Sequence, residues 1–223
     1  MLSEREILST LAMLRYEHLD LRTVTIGISL LDCVSDDVNR FINRSQSKIA
    51  RYAAPLVETV NRIGDKYGIK VENKRIAVSP IAVAGAPFSI TQLIQVAKAL
   101  DEAAESAGID FIGGFSALVE KGMASGDRAL IAAIPEALAC TERVCASVNV
   151  ATTRAGINMD AVVKMGSIVK ETAELTARAD GLGAAKLFFI SMENRHRRGP
   201  LWADFRIRPE TAMRCLLFSL ALA

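Results

Sequence analysis

Five runs rich in β-branched residues alternate along this chain with segments of helical apolar period, and that alternation restricts its fold more than any other feature. The runs cover residues 21–31, 75–83 (closing near Pro80), 109–118, 143–150 and 185–190. The helical segments cover 3–16, 35–68, 90–107, 127–139 and roughly 157–178. Strands separated by whole helices do not pair as hairpins; they pair in parallel through crossover connections. The expected fold class is therefore α/β, with a mainly parallel sheet either open or closed into a barrel. No internal repeat or low-complexity linker interrupts the rhythm, so residues 1–190 read as one domain.

Local signals place the helix ends. Ser3 and Glu6 have the spacing of a capping box ahead of the apolar stripe Ile7, Leu8, Leu11 and Leu14. Ser35-Asp36-Asp37 opens the long second helix and Gly68 closes it, while Pro55 inside it predicts a kink or a break. Ser89-Ile90-Thr91 opens the third helix. The first strand has no charge after Arg22, the composition of a strand buried on both faces.

Composition narrows the class further. With 51% hydrophobic and 23% charged residues the chain buries a core and is not a disordered polymer. The formal charge of +2 gives no reason to expect nucleic acid or an acidic membrane as partner. Even that charge is local: from Ser191 onward six Arg face three acids, which leaves residues 1–190 at −1. The amino terminus is polar and acidic before any apolar run, unlike a signal peptide, and no 18-residue apolar stretch marks a membrane span. Cys33, Cys140, Cys145 and Cys215 form no C-x-x-C pair, and His18 and His196 are far apart. No metal site or disulfide framework is expected, and reduced thiols point to the cytoplasm.

Chemistry in parallel α/β folds sits at the carboxyl ends of the strands. Ser29 closes the first strand, ahead of Asp32 and Cys33. That pair reads either as acid/base and nucleophile or as a turn residue and a small buried filler. Ser79 closes the second strand. Lys74 and Arg75 open it, as solvated charges or as a cationic pair for an anion. Gly113-Gly114 inside the third strand marks a bulge or a close backbone approach, caused by a ligand or by a tight bend, and Ser116 follows. In the fourth strand, alternation sets Cys145, Ser147 and Asn149 on one side, as a polar interior or as groups that satisfy each other. Thr152, Thr153 and Asn158 come after its end. Ser29, Asp32, Ser79, Gly114, Ser116, Ser147, Asn149 and Asn158 are thus expected to converge around one ligand cavity. Asp32, Cys33 and Cys145 are the catalytic candidates. No cofactor is named by these residues.

The same stretches carry a family resemblance. TIGISLLDC (25–33), NKRIAVSPI (73–81), DFIGGFSALVEKG (110–122), IPEALACTERVCASVNV (134–150) and GINMDAV (156–162) resemble the uncharacterised prokaryotic family numbered 0210, also labelled domain of unknown function 711. The resemblance runs over residues 1 to about 189. It implies a fold similar to the ten-stranded α/β barrel of pyruvate formate-lyase-like glycyl radical enzymes, of which this chain would supply the first half. It also implies a homodimer, and a small ACT-domain protein as regulatory partner. The family has no established activity, so no catalytic residue is carried over, and no radical glycine is evident. Family members are about twice as long. The segment from about 191 to 223, rich in Arg, holding the only Trp and lacking either period, is therefore expected to be a non-native or frameshifted tail. Three readings follow: a metabolite-binding, possibly enzymatic barrel; a non-catalytic ligand sensor; and a half-barrel without function of its own.

Overall fold

A strand that must return to the same end of a sheet before pairing again needs a connection of a dozen or more residues, and this chain provides four of them. The computed structural model describes residues 4–15, 23–69 and 71–192. In order, the elements are α1 (Glu4–Arg15), β1 (Thr23–Ile28), a 3₁₀ turn (Leu31–Cys33), α2 (Val38–Tyr67), β2 (Asn73–Val78), α3 (Ile81–Ala84) and α4 (Ile90–Ser106). There follow β3 (Phe111–Leu118), α5 (Ser125–Ala139), β4 (Val144–Thr152), β5 (Gly156–Ile157), α6 (Met159–Leu175), a second 3₁₀ turn (Ala177–Ala179), α7 (Leu182–Ala185) and β6 (Leu187–Met192). The sheet order is β1-β2-β3-β4-β6, every one of these pairs being parallel. The two-residue β5 adds one antiparallel contact to β4.

Successive strands are neighbours and the order never reverses. The long crossover helices pack in the same sequence, α2 on α4, α4 on α5 and α5 on α6. Alternation then decides the faces. Ile76 and Val78, Phe115 and Ala117, and Val144, Ala146, Val148 and Val150 join the helices in one hydrophobic core. Arg75, Ala77, Ser79, Ser116, Cys145, Ser147 and Asn149 alternate with them on the opposite face.

The helix ends obey the chemistry of their caps. Asp37 accepts the Asn39 amide at 2.9 Å at the start of α2, and Gly68, with φ +66°, ends it. Ser89 and Gln92 form a reciprocal capping box on α4. Several expectations are corrected. Of the kink or break expected at Pro55, the break is absent: α2 is one helix from Val38 to Tyr67, and Pro55 lies on an exposed position of it. β1 is only half-buried, because as an edge strand it pairs with β2 alone. The second strand stops at Val78; Pro80 cannot extend a ladder, and its carbonyl accepts the Val83 and Ala84 amides to start α3 instead. β6 continues two residues past 190, pairing Ser191 and Met192 with Ala151 and Thr152. Ser3, His18, His196 and the segment 193–223 lie outside the described residues.

The Gly113-Gly114 pair is a bulge. The β3–β4 register slips between Gly113 and Phe115. Gly114 has φ +129°, and a Cβ there would meet Val78 Cγ2 at 2.2 Å and the Val78 carbonyl oxygen at 2.8 Å. The tight approach of β2 and β3 thus requires glycine at 114. Replacing Gly114 by Ala should cost about 2–4 kcal/mol, from strain plus overlap. Gly122→Ala, also at positive φ but with nothing within 4 Å of the added carbon, should cost only about 1 kcal/mol. Urea midpoints compare the two directly; equal losses would refute the packing account.

Candidate functional site

The face of the sheet turned away from the helices carries hydroxyl and amide groups at its carboxyl end. At the ends of β1 and β2 the Ser79 hydroxyl accepts the Leu30 amide at 3.1 Å and donates to Ser29 Oγ at 3.5 Å. On β3 and β4, Ser116 and Ser147 are register partners, as are Leu118 and Asn149. Four serines, two just past the ends of β1 and β2 and two within β3 and β4, therefore mark this end of the sheet. Ser79, Ser116, Ser147 and Asn149 are all at most 5% exposed. Ser116 donates to the Gly114 carbonyl at 3.3 Å. The Asn149 amide reaches Glu120 Oε2 at 3.3 Å. The Ser147 hydroxyl has no hydrogen-bond partner among the described residues.

Asn158 works from the loop beyond β4. Its side-chain oxygen accepts the Ala161 amide at 3.2 Å, capping α6, and its amide donates to the Val119 carbonyl at 2.7 Å. One side chain thereby joins the start of α6 to the turn after β3. Asn158 also lines a pocket of about 530 Å³ with Glu120, Lys121, Gly122, Arg154 and Ala155.

Asp32 and Cys33 go elsewhere. They line a separate pocket against α2, with Asn43, Arg44, Ser47 and Lys48. Lys48 Nζ lies 2.6 Å from both Asp32 oxygens, and this bond holds the Asp32 carboxyl below the usual aspartate range. Cys33 Sγ is 3.8 Å from Asp32 Oδ1. Burial first, and the Asp32 charge second, push the Cys33 thiol up. A nucleophilic cysteine needs the reverse; the surroundings of Cys33 disfavour its thiolate. Cys145 is buried deeper, and desolvation raises it to about 11.

Lys74 and Arg75 stay at the amino end of β2, away from these groups. The Arg75 guanidinium stands over the Phe111 ring at 5.2 Å. Sequence reasoning missed Glu120, Lys121 and Arg154, which lie two to four residues beyond the strands expected at 109–118 and 143–150. It also missed the buried Lys186, whose ammonium donates to the carbonyls of Leu138 (3.1 Å) and Thr141 and so closes the end of α5. Burial lowers the Lys186 pKa. Among the described residues, no group of three or more His, Cys, Asp or Glu is arranged to hold a metal, and no helix is long and apolar enough to cross a membrane.

The chain is similar to known proteins. The family model described as "Uncharacterised ACR (DUF711)" matches residues 12–202. A UPF0210 protein of Desulfovibrio desulfuricans is 63% identical over 187 residues, covering 84% of this chain and 41% of the relative. The UPF0210 proteins of Syntrophobacter fumaroxidans and Methanosarcina mazei are 64% and 56% identical over the same length and shares. The chain thus spans about two-fifths of the length of the curated relatives it matches.

The thiol environments give a labelling order. At pH 8 a thiol raised to about 11 is only ~0.1% ionised. With a maleimide on the native chain, exposed Cys140 should react before buried Cys33 and Cys145. Peptide mass spectrometry would overturn this order if Cys145 were modified first.

Proposed function

The chain belongs to the uncharacterised DUF711 family, and from its strand ends we propose that the intact cytoplasmic protein binds a small polar metabolite on the face of the sheet opposite the helices. The observation that carries this reading is the row of hydroxyls on the sheet face away from the helices, in which Ser147, register partner of Ser116, makes no hydrogen bond within the described residues. Its hydroxyl is not among the fully enclosed, unpartnered atoms of the described residues, so it is open to a ligand hydrogen bond. Ser29, Ser79, Ser116 and Asn149 surround the same sheet end and extend the polar lining.

The finer fold fits this reading. Strands in unreversed order, with helices on one face, are the pattern of a sheet that curls until its other face becomes an interior. We propose that the remaining length of the relatives supplies the other strands of a barrel similar to that of glycyl radical enzymes, as a homodimer. Whether such a barrel turns its ligand over, or passes the bound state to an ACT-domain partner, is decided by the same measurement. Saturable binding with product formation marks an enzyme, and binding without turnover marks a sensor.

The test is a metabolite panel followed by ligand-observed NMR, on this chain and on the full-length Desulfovibrio desulfuricans relative. Ser147→Ala in this chain should weaken the binding found by about three- to tenfold, the worth of one hydrogen bond. Its unfolding midpoint should stay unchanged, because no intrachain bond is lost. Absence of saturable binding by both proteins, or a Ser147→Ala variant that binds normally, refutes the reading.

A further inference from the structure

The geometry points to an oxyanion subsite between the turns that follow β3 and β4, with Lys121 and Arg154 as its cationic walls. The inference rests on reading these strand ends as a ligand site and goes on to name the chemical class of the ligand: a small metabolite carrying a carboxylate or phosphate.

Both turns are built, not frayed. After β3, the Gly122 amide donates to the Val119 carbonyl at 3.1 Å, closing a four-residue turn with Lys121 in it, and Gly122 takes φ +125°. That carbonyl also receives the Asn158 side chain at 2.7 Å, and the Val119 amide donates to the Asn149 carbonyl at 2.8 Å. After β4, Thr152 pairs with Gly156 across the three residues 153–155. The Ala155 amide donates to Thr152 Oγ1 at 3.0 Å, and Gly156 has φ +81°. Arg154 stands at the centre of that hairpin. The two turns face one pocket of about 530 Å³.

The charges in that pocket are unequal. Lys121 and Arg154 both line it, and neither side chain has an ion-pair or hydrogen-bond partner among the described residues. Glu120, the single carboxylate of the lining, already accepts the Asn149 amide at 3.3 Å. One negative and two positive groups leave a net positive pocket, which an oxyanion would neutralise through charge-assisted bonds. The planar Arg154 fork is suited to two oxygens at once. Glu120 remains able to accept a hydroxyl or ammonium of the same ligand.

The experiment titrates the full 223-residue chain with inorganic phosphate, acetate or L-malate at fixed ionic strength, following amide shifts of Lys121, Arg154 and Asn158. A saturable response is expected with one of them, phosphate alone indicating a phosphoryl ligand, acetate or malate a carboxylate. Lys121→Gln and Arg154→Gln should each weaken it by about tenfold, the range of a charge-assisted bond. Arg178→Gln, on an exposed 3₁₀ turn elsewhere, should leave it unchanged. No saturable shift with any probe, or equal weakening by Arg178→Gln, overturns the subsite. If Ser147→Ala abolishes panel binding while both Gln variants bind normally, the strand-end reading stands and this inference alone fails.

Discussion

Every large feature of this structure follows from parallel pairing in chain order. A parallel neighbour can be reached only after the chain has travelled back along the sheet. When strands are added in one direction without reversal, successive crossovers of the same hand lay their helices on the same face. The result here is a continuous layer of α2, α4, α5 and α6 over β1 to β6. One face of the sheet is thereby committed to the hydrophobic core, with Ile76, Phe115, Val144 and Val148 among its fully buried members. The opposite face is released from packing by helices, and it is where Ser79, Ser116, Ser147 and Asn149 are found.

The two ends of the sheet are treated differently. At the amino ends, charged groups are spent on the backbone. Asp101 of α4 accepts the Arg143 amide at 2.6 Å and the Glu142 and Val144 amides at 3.2 Å, fixing the start of β4. Asp110 accepts the Lys74 amide at 2.7 Å and ties β3 to β2. Lys186 closes the last turn of α5 beside the start of β6. Each of these replaces water around a strand or helix terminus, which is a stabilising role. At the carboxyl ends the polar groups are held but not exhausted: Asn158 is fully used, Glu120 partly, and Ser147, Lys121 and Arg154 not at all within the described chain.

The parts of this arrangement legible in the sequence were those set by short-range periodicity. Alternation of strand and helix gave the parallel sheet, and the period of two put Cys145, Ser147 and Asn149 on one side of β4. The double glycine announced its bulge, although the cause is the Val78 backbone and side chain, a contact between residues 36 positions apart that no local pattern encodes. Asp32 was singled out for its place after a strand, and its position was right. Its partner was not visible, because Lys48 reaches it from the third turn of α2 and turns a candidate base into an ion pair. Arg154 and Lys121 look in sequence like any solvated loop charges; only the pairing of Thr152 with Gly156 and the bond from Asn158 to Val119 show that two separate turns share a pocket.

The thiols and the serines illustrate how burial separates two readings that sequence treats alike. Cys145 and Ser147 are two residues apart on one strand and one face, each about as buried as the other, at 4% and 5% exposure. A cysteine in such a place behaves as a small apolar group, since desolvation holds its proton far above neutral pH, and its burial needs no further cause. A serine at the same depth keeps a strong donor and acceptor, and the Ser147 hydroxyl is not among the fully enclosed, unpartnered atoms of the described residues. It stands beside Ser116 in the β3–β4 register with its hydrogen-bonding capacity unused within the described residues. Counting bonds thus assigns Asn158 to structure, where two good bonds account for it, and leaves Ser147 as a polar group with capacity for a ligand.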